Sequence, residues 1–357
     1  MKKVFDMKAF EGWKIELPLI QGGMGVGVSL GGLAGAVAAE GGIGMISTAQ
    51  IGYEEPDFVG NELECNLRGI RKQIVKAKEI AQGKGMIGVN VMVALQQYRD
   101  HVKEAVKAGA DAIVCGAGLP MDLPELVREG AAKIAPIVSS RKAVALILRA
   151  WDKKYARVPD FIVAEGPNAG GHLGFSKEQL AENAQAYFEN ELQGIIEEKR
   201  IYEEKYGKSI PVFAAGGIWN AKDSMHAAAL GADGVQAATR FVATEECDAS
   251  TAYKMAYVNA KEEDVKVIKS PVGMPGRALH NTFIRETETV AKKIDRCYRC
   301  IKNCKPAEIP YCITQALVAA VKGDVEHGLV FCGSNVGKVT EISTVHEVVE
   351  DLMYVRG

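Results

Sequence analysis

The sequence has no apolar run approaching the ~18 residues of a membrane-spanning helix. Its opening, MKKVFDMKAF, has two lysines but no apolar run behind them, so no secretion leader is expected and the protein reads as cytoplasmic. Charge of one sign is also missing. Lys and Arg number 43 against 45 Asp and Glu, a formal net charge of −2, too near neutral to suggest a nucleic-acid-binding or membrane-binding surface. There is no low-complexity segment. With 48% apolar and 25% charged residues a large packed core is expected, and disorder is not.

What the chain does have is alternation. Short apolar runs rich in Val and Ile are spaced by helical patterns from Pro18 onward. The predicted strands are Leu19–Gln21, Gly44–Ser47, Ile87–Val91, Ala112–Cys115, Ile134–Val138, Phe161–Ala164, Val212–Ala215 and Gly234–Gln236. Helix spacing lies between them, as in Leu33-Ala34-Val37-Ala38 and Tyr98-Val102-Ala105-Val106. Strand–helix alternation repeated eight times predicts an α/β fold, a (β/α)8 TIM barrel, in preference to an open doubly wound sheet. A chain of 357 residues is long for one domain, but such barrels often exceed about 250 residues. Gly109-Ala110-Asp111 and Gly231-Ala232-Asp233 each end a helical pattern and precede a strand, as a left-handed helix terminus requires. Residues 176–210 are charged and helix-like, and are expected to extend the helical layer after the sixth strand. Composition changes near residue 291. The division expected is a barrel over 1–290 and a cysteine-containing C-terminal module over 291–357, packed on the barrel, with a helix-like run from Ile313 to Val321 and an apolar run, GLVFCGSN.

Active sites of such barrels lie beyond the C-terminal ends of the strands. The stretch FIVAEGPNAGGHLGF, at 161–175, puts a carboxylate, Glu165, and a histidine, His172, on the loop after an apolar strand. After the first strand comes Gln21-Gly22-Gly23-Met24-Gly25-Val26-Gly27, where glycines let backbone approach a flat ligand. The dinucleotide fingerprint is absent, since Gly25-x-Gly27-x-x-Leu30 lacks the last glycine. Asn90, inside an apolar strand, needs a partner if buried; a ligand and a neighbouring loop are both open to it. Loops after the seventh and eighth strands are the usual phosphate pocket of this fold. Gly216 and Gly217 with the Thr239 hydroxyl could hold a phosphate there without a lysine.

Together these loops resemble the flavin-dependent family that contains nitronate monooxygenase (2-nitropropane dioxygenase) and the flavin-containing enoyl-ACP reductase II. The matching segments are PLIQGGMG at 18–25, GVNVM at 88–92, AEGPNAGGHLG at 164–174, PVFAAGGI at 211–218, VQAATRF at 235–241 and SPVGMPGRAL at 270–279. The resemblance covers about residues 15–285 and implies an FMN-binding barrel. It implies that Gln21, Gly22, Gly23 and Met24 lie along the isoalloxazine ring and that Asn90 contacts the cofactor. Glu165 would bond the ribityl chain or support its loop. Gly170 and Gly171 would bring their loop close to the cofactor. Gly216, Gly217, Gln236 and Thr239 would form the phosphate and ribityl end, and His172 would face ring and substrate. Ala238 stands where the family commonly has Gly, and its methyl is expected to narrow the phosphate pocket.

An imidazole titrates near neutral pH, so His172 could exchange a proton with a nitroalkane or with an enoyl thioester; it marks the site without choosing the substrate. Three readings follow. The first is an FMN-dependent oxidoreductase of the nitronate monooxygenase type, oxidising alkyl nitronates or nitroalkanes with O2. The second is an enoyl-ACP reductase in which NAD(P)H is the reductant. The third is a flavin- or metal-based redox sensor. A small-molecule substrate is the partner expected, with a homodimer as an open option.

Of the eight cysteines, four are crowded: Cys297-x-x-Cys300-x-x-x-Cys304, then Cys312. In a long chain with no secretion signal this spacing suggests metal or redox chemistry rather than disulfides. An iron–sulfur cluster and a zinc ion are the two centres open to it, although the spacing matches neither common ferredoxin runs nor zinc ribbons. Buried free thiols at a module interface are the plain alternative.

Overall fold

The computed structural model describes residues 2–180 and 184–355. Eight parallel strands close into a barrel: β1 Leu19–Gln21, β2 Ile43–Ser47, β3 Met86–Met92, β4 Ala112–Gly116, β5 Lys133–Val138, β6 Ile162–Glu165, β7 Val212–Ala215 and β8 Gly234–Ala237. The ring is sealed where β8 pairs with both β7 and β1, Gln236 lying against Ala215 on one side and Ile20 on the other. Each expected strand is present, with its ends within one residue of the expected ends. The two helix spacings named above become helices Gly31–Ala39 and Tyr98–Lys107, which bury those apolar positions against the strands. Of the excursion at 176–210, residues 184–206 form one helix, and residues 181–183 lie outside the described residues. No helix among the described residues is long and apolar enough to cross a membrane.

The two Gly-Ala-Asp steps do more than turn the chain. Gly109 and Gly231 take φ of 85° and 96°, where a Cβ would be strained, and each lets the next N–H reach back to the helix end. The aspartate then staples the barrel. The Ile87 N–H donates to Asp111 Oδ2 at 2.9 Å, and the Val212 N–H donates to Asp233 Oδ2 at 2.8 Å. Asp160 does the same for the Ile134 N–H at 2.8 Å. Each carboxylate therefore ties its strand to the start of the strand before it, at the end of the barrel opposite the strand C-termini.

That end is also plugged. The barrel interior is filled by alternate strand residues such as Ile20, Met45, Val114, Val163 and Phe213, and Phe10 and Trp13 close it from below. Phe10 meets Trp13 edge-on at 5.3 Å, Trp13 meets Phe161 at 5.6 Å, and the Lys133 ammonium sits 4.1 Å over the Trp13 ring. These are favourable aromatic and cation–π geometries. The packed interior and floor leave the other end for chemistry.

The C-terminal part of the chain covers that other end. Val265–Lys269 and Pro275–Leu279 form an antiparallel hairpin, and the second strand pairs with Gly171–His172. The apolar run GLVFCGSN meets this hairpin: Phe331 bridges to Ala278, and the N–H of Cys332 donates to the Arg277 carbonyl at 3.1 Å. The expected helix Ile313–Val321 is present with those ends.

Candidate active site at the barrel rim

Most of the expected residues gather around one cavity at the C-terminal ends of the strands. Gly22, Gly23, Met24, Asn90, Glu165, Gly170, Gly171, His172, Gly216, Gly217, Gln236 and Thr239 all line it. Gln21 does not, and that expectation is corrected. Its side chain is fully buried, donating to the Gly22 carbonyl and accepting the Met45 N–H at 3.0 Å. An odd position on a short strand points it between strands, where it ties β1 to β2 and sets the path of the glycine loop.

The glycine loop lies close against its neighbours. A Cβ on Gly23 would stand 2.4 Å from the Asn90 Cβ, so only glycine leaves Asn90 room at the cavity wall. The Asn90 backbone carbonyl accepts the Thr48 N–H at 3.1 Å, while its side-chain amide has no partner among the described residues. Ala238 packs its methyl toward Gly22, at 3.3 Å from where a Gly22 Cβ would be.

At the end of β7, Gly216 and Gly217 take φ of 90° and 91°, a region open to glycine. Their N–H groups have no protein acceptor among the described residues. Thr239 accepts the Gly333 N–H at 3.1 Å and keeps its own proton to donate. Unclaimed amides beside a free hydroxyl suit an anion.

Glu165 ends β6 with its carboxyl facing the cavity and no partner among the described residues. It is enclosed by protein, and burial pushes it up to about 7. His172 follows on the β6 loop, its backbone paired with Gly276. Its Nε2 lies 2.8 Å from Ser270 Oγ, and its ring meets Phe331 edge-on at 5.1 Å. Burial pushes its imidazole down to about 4, so it is neutral at ordinary pH. Ser270 Oγ already accepts the Val272 N–H at 3.3 Å. The hydroxyl can give its own proton to Nε2 or accept one from it, according to the tautomer of the ring.

Two groups of residues here were not singled out from sequence. Arg277 is buried and donates to the carbonyls of Pro167 and Ala169, at 2.6 Å for the first, clamping the loop that carries His172. Residues 331–335 roof the cavity. Phe331, Cys332, Gly333 and Asn335 line it, and Asn335 Nδ2 donates to the Gly217 carbonyl at 3.0 Å. A signal was present. GLVFCGSN is an apolar run followed by Gly-Ser-Asn, the same pattern that marks the barrel's own strand-to-loop junctions.

The four crowded cysteines lie elsewhere, around a second cavity, all as free thiols. Among the described residues no three His, Cys, Asp or Glu side chains come together closely enough to hold a single metal ion.

The chain matches the family model for nitronate monooxygenase over residues 8–354. The chain belongs to the nitronate monooxygenase family. It is thus an oxidoreductase by family, and the match runs past residue 285, through the cysteine segment. A Staphylococcus aureus protein named "Probable nitronate monooxygenase" is 28% identical over 298 residues, 76% of this chain and 78% of that protein. Among solved structures, FabK from Thermotoga maritima superposes with a TM-score of 0.71 at 28% identity, covering 95% of this chain and 92% of that one. A nitroalkane oxidase from Streptomyces ansochromogenes shares the fold, with a TM-score of 0.68 at 21% identity and 95% of each chain covered.

Proposed function

We propose that the protein is an FMN-dependent oxidoreductase that oxidises alkyl nitronates with O2. The observation that carries this reading is a neutral, enclosed imidazole at His172 facing a cavity of glycine backbone. The residues present fit FMN. Close-packed glycines suit a flat ring, Asn90, Glu165 and Gln236 offer polar side chains for a hydroxylated chain, and the Gly216 and Gly217 amides with Thr239 suit a phosphate. FMN, when bound, supplies the electron acceptor.

The chain's own residues supply binding and proton placement. An imidazole whose conjugate acid lies near pH 4 is a weaker base than ordinary histidine, and a better match to a substrate that arrives already deprotonated. With Nε2 bonded to Ser270, Nδ1 is the ring nitrogen left for a nitronate oxygen, and it donates there in the tautomer that carries its proton on Nδ1. Ser270 and Phe331 hold the ring in place. The nitronate is therefore expected to be a better substrate than its parent nitroalkane.

A second reading, an NAD(P)H-dependent enoyl thioester reductase, is favoured by the superposition on FabK over nearly the whole chain. The two separate in one assay. Purified protein should carry about one FMN per chain and consume O2 with a nitronate. Activity confined to enoyl-thioester-dependent NADH or NADPH oxidation would reverse the order of the two readings. His172→Ala should keep FMN bound and lose most turnover, by roughly 10²-fold or more. Unchanged turnover per folded molecule would make His172 a structural residue.

A further inference from the structure

The cysteine segment is the one motif that this function leaves unused. It is held beside the active site rather than hanging free. Ile301 bridges to Leu95, the Gln96 N–H donates to the Cys300 carbonyl at 3.0 Å, and the Lys302 N–H donates to the Ala94 carbonyl at 2.9 Å. Those contacts fix it to the loop after β3. Cys312 caps the helix Ile313–Val321, whose Ile313 borders the second cavity and whose Leu317 borders the first. Four residues of helix, about 6 Å of rise, separate the two along that axis.

Cys297, Cys300, Cys304 and Cys312 all line this second cavity of about 270 Å3. A zinc ion would need its thiolates drawn in to about 2.3 Å from one point, and no three ligands converge in that way. An iron–sulfur cluster is different: each thiolate holds its own metal corner of a larger body, so the sulfurs stand apart around a filled volume.

The backbone is shaped for such a body. Arg299 and Asn303, immediately before Cys300 and Cys304, take φ of 48° and 58°, rare for residues other than glycine. Left-handed residues build the concave nests of N–H groups found at iron–sulfur sites. The Arg299 N–H already donates to Cys297 Sγ at 3.4 Å.

We propose that Cys297, Cys300, Cys304 and Cys312 bind an iron–sulfur cluster at the edge of the active site. This does not depend on the flavin reading and stands or falls by itself. The test uses the full chain, purified without oxygen and reconstituted with ferrous iron and sulfide. Iron and acid-labile sulfide should be retained in equal numbers, about two or about four per chain, the two forms that four cysteines ligate. Cys304→Ser and Cys312→Ser should each lose more than half of that iron with far-ultraviolet circular dichroism unchanged. One zinc per chain without sulfide, or no iron retained by the wild type, overturns the proposal. A second measurement needs no variant. Iodoacetamide should label the exposed Cys297 in metal-free chain and be excluded after reconstitution; equal labelling in both also overturns it.

Discussion

Glu165 and His172 face the same cavity, and one cause moves them in opposite directions. Burial opposes the charged form of each, raising the carboxyl to about 7 and lowering the imidazole to about 4. The sign of the pH dependence differs accordingly. In the unfolded chain Glu165 ionises near 4.5, so the fold is penalised by this group as pH rises from there through about 7. His172 penalises the fold in the other direction, as pH falls below about 6.5 toward 4. Glu165→Gln should therefore raise the stability of the flavin-free protein at pH 8 by on the order of 2 kcal/mol and leave it unchanged near pH 4.5. A melting difference of equal size at both pH values would mean that something other than the buried charge is responsible. At this scale the sequence was readable where a residue sits at or just beyond the C-terminal end of a strand, as Asn90, Glu165 and Thr239 do. It was not readable for Gln21, because the pleat that turns a side chain inward or toward the rim shifts with a single residue of register.

Among the elements, the strands were legible to within one residue because parallel strands are buried on both faces and read as near-continuous apolar runs. The hairpin Val265–Lys269 and Pro275–Leu279 was not. Its first strand is only half-buried and carries two lysines in five residues, and its role comes from what it touches. Arg277 shows why. Nothing local marks an arginine that will bury its guanidinium against the carbonyls of Pro167 and Ala169, over a hundred positions away. Replacing it with methionine keeps the volume but leaves two buried carbonyls unbonded. Arg277→Met should cost about 3 kcal/mol and weaken flavin retention, through freedom gained by the loop that carries His172. Unaltered melting and unaltered flavin content would show that the clamp does nothing.

Across the whole molecule, stability and chemistry sit at opposite ends of the barrel, as the fold's general plan requires. Asp111, Asp160 and Asp233 staple neighbouring strands at one end, and the cavity opens at the other. Asp111→Ala should lower the melting temperature by the equivalent of about 1–3 kcal/mol and leave turnover per folded molecule untouched. Loss of turnover beyond loss of fold would mean that the two ends are coupled. The barrel itself could be read from the alternation of eight runs. The run at 328–335 could be read as apolar but not as the roof of the site, because it joins the rim from more than ninety residues beyond the last barrel strand, and only the closed ring brings the two together.

The aromatic plug has a consequence of its own. Phe10 and Trp13 make the barrel a vessel with a shut base. Whatever enters must arrive from the side where the roof residues already crowd the doorway. Two reactants that need the same reacting face must share that one entrance.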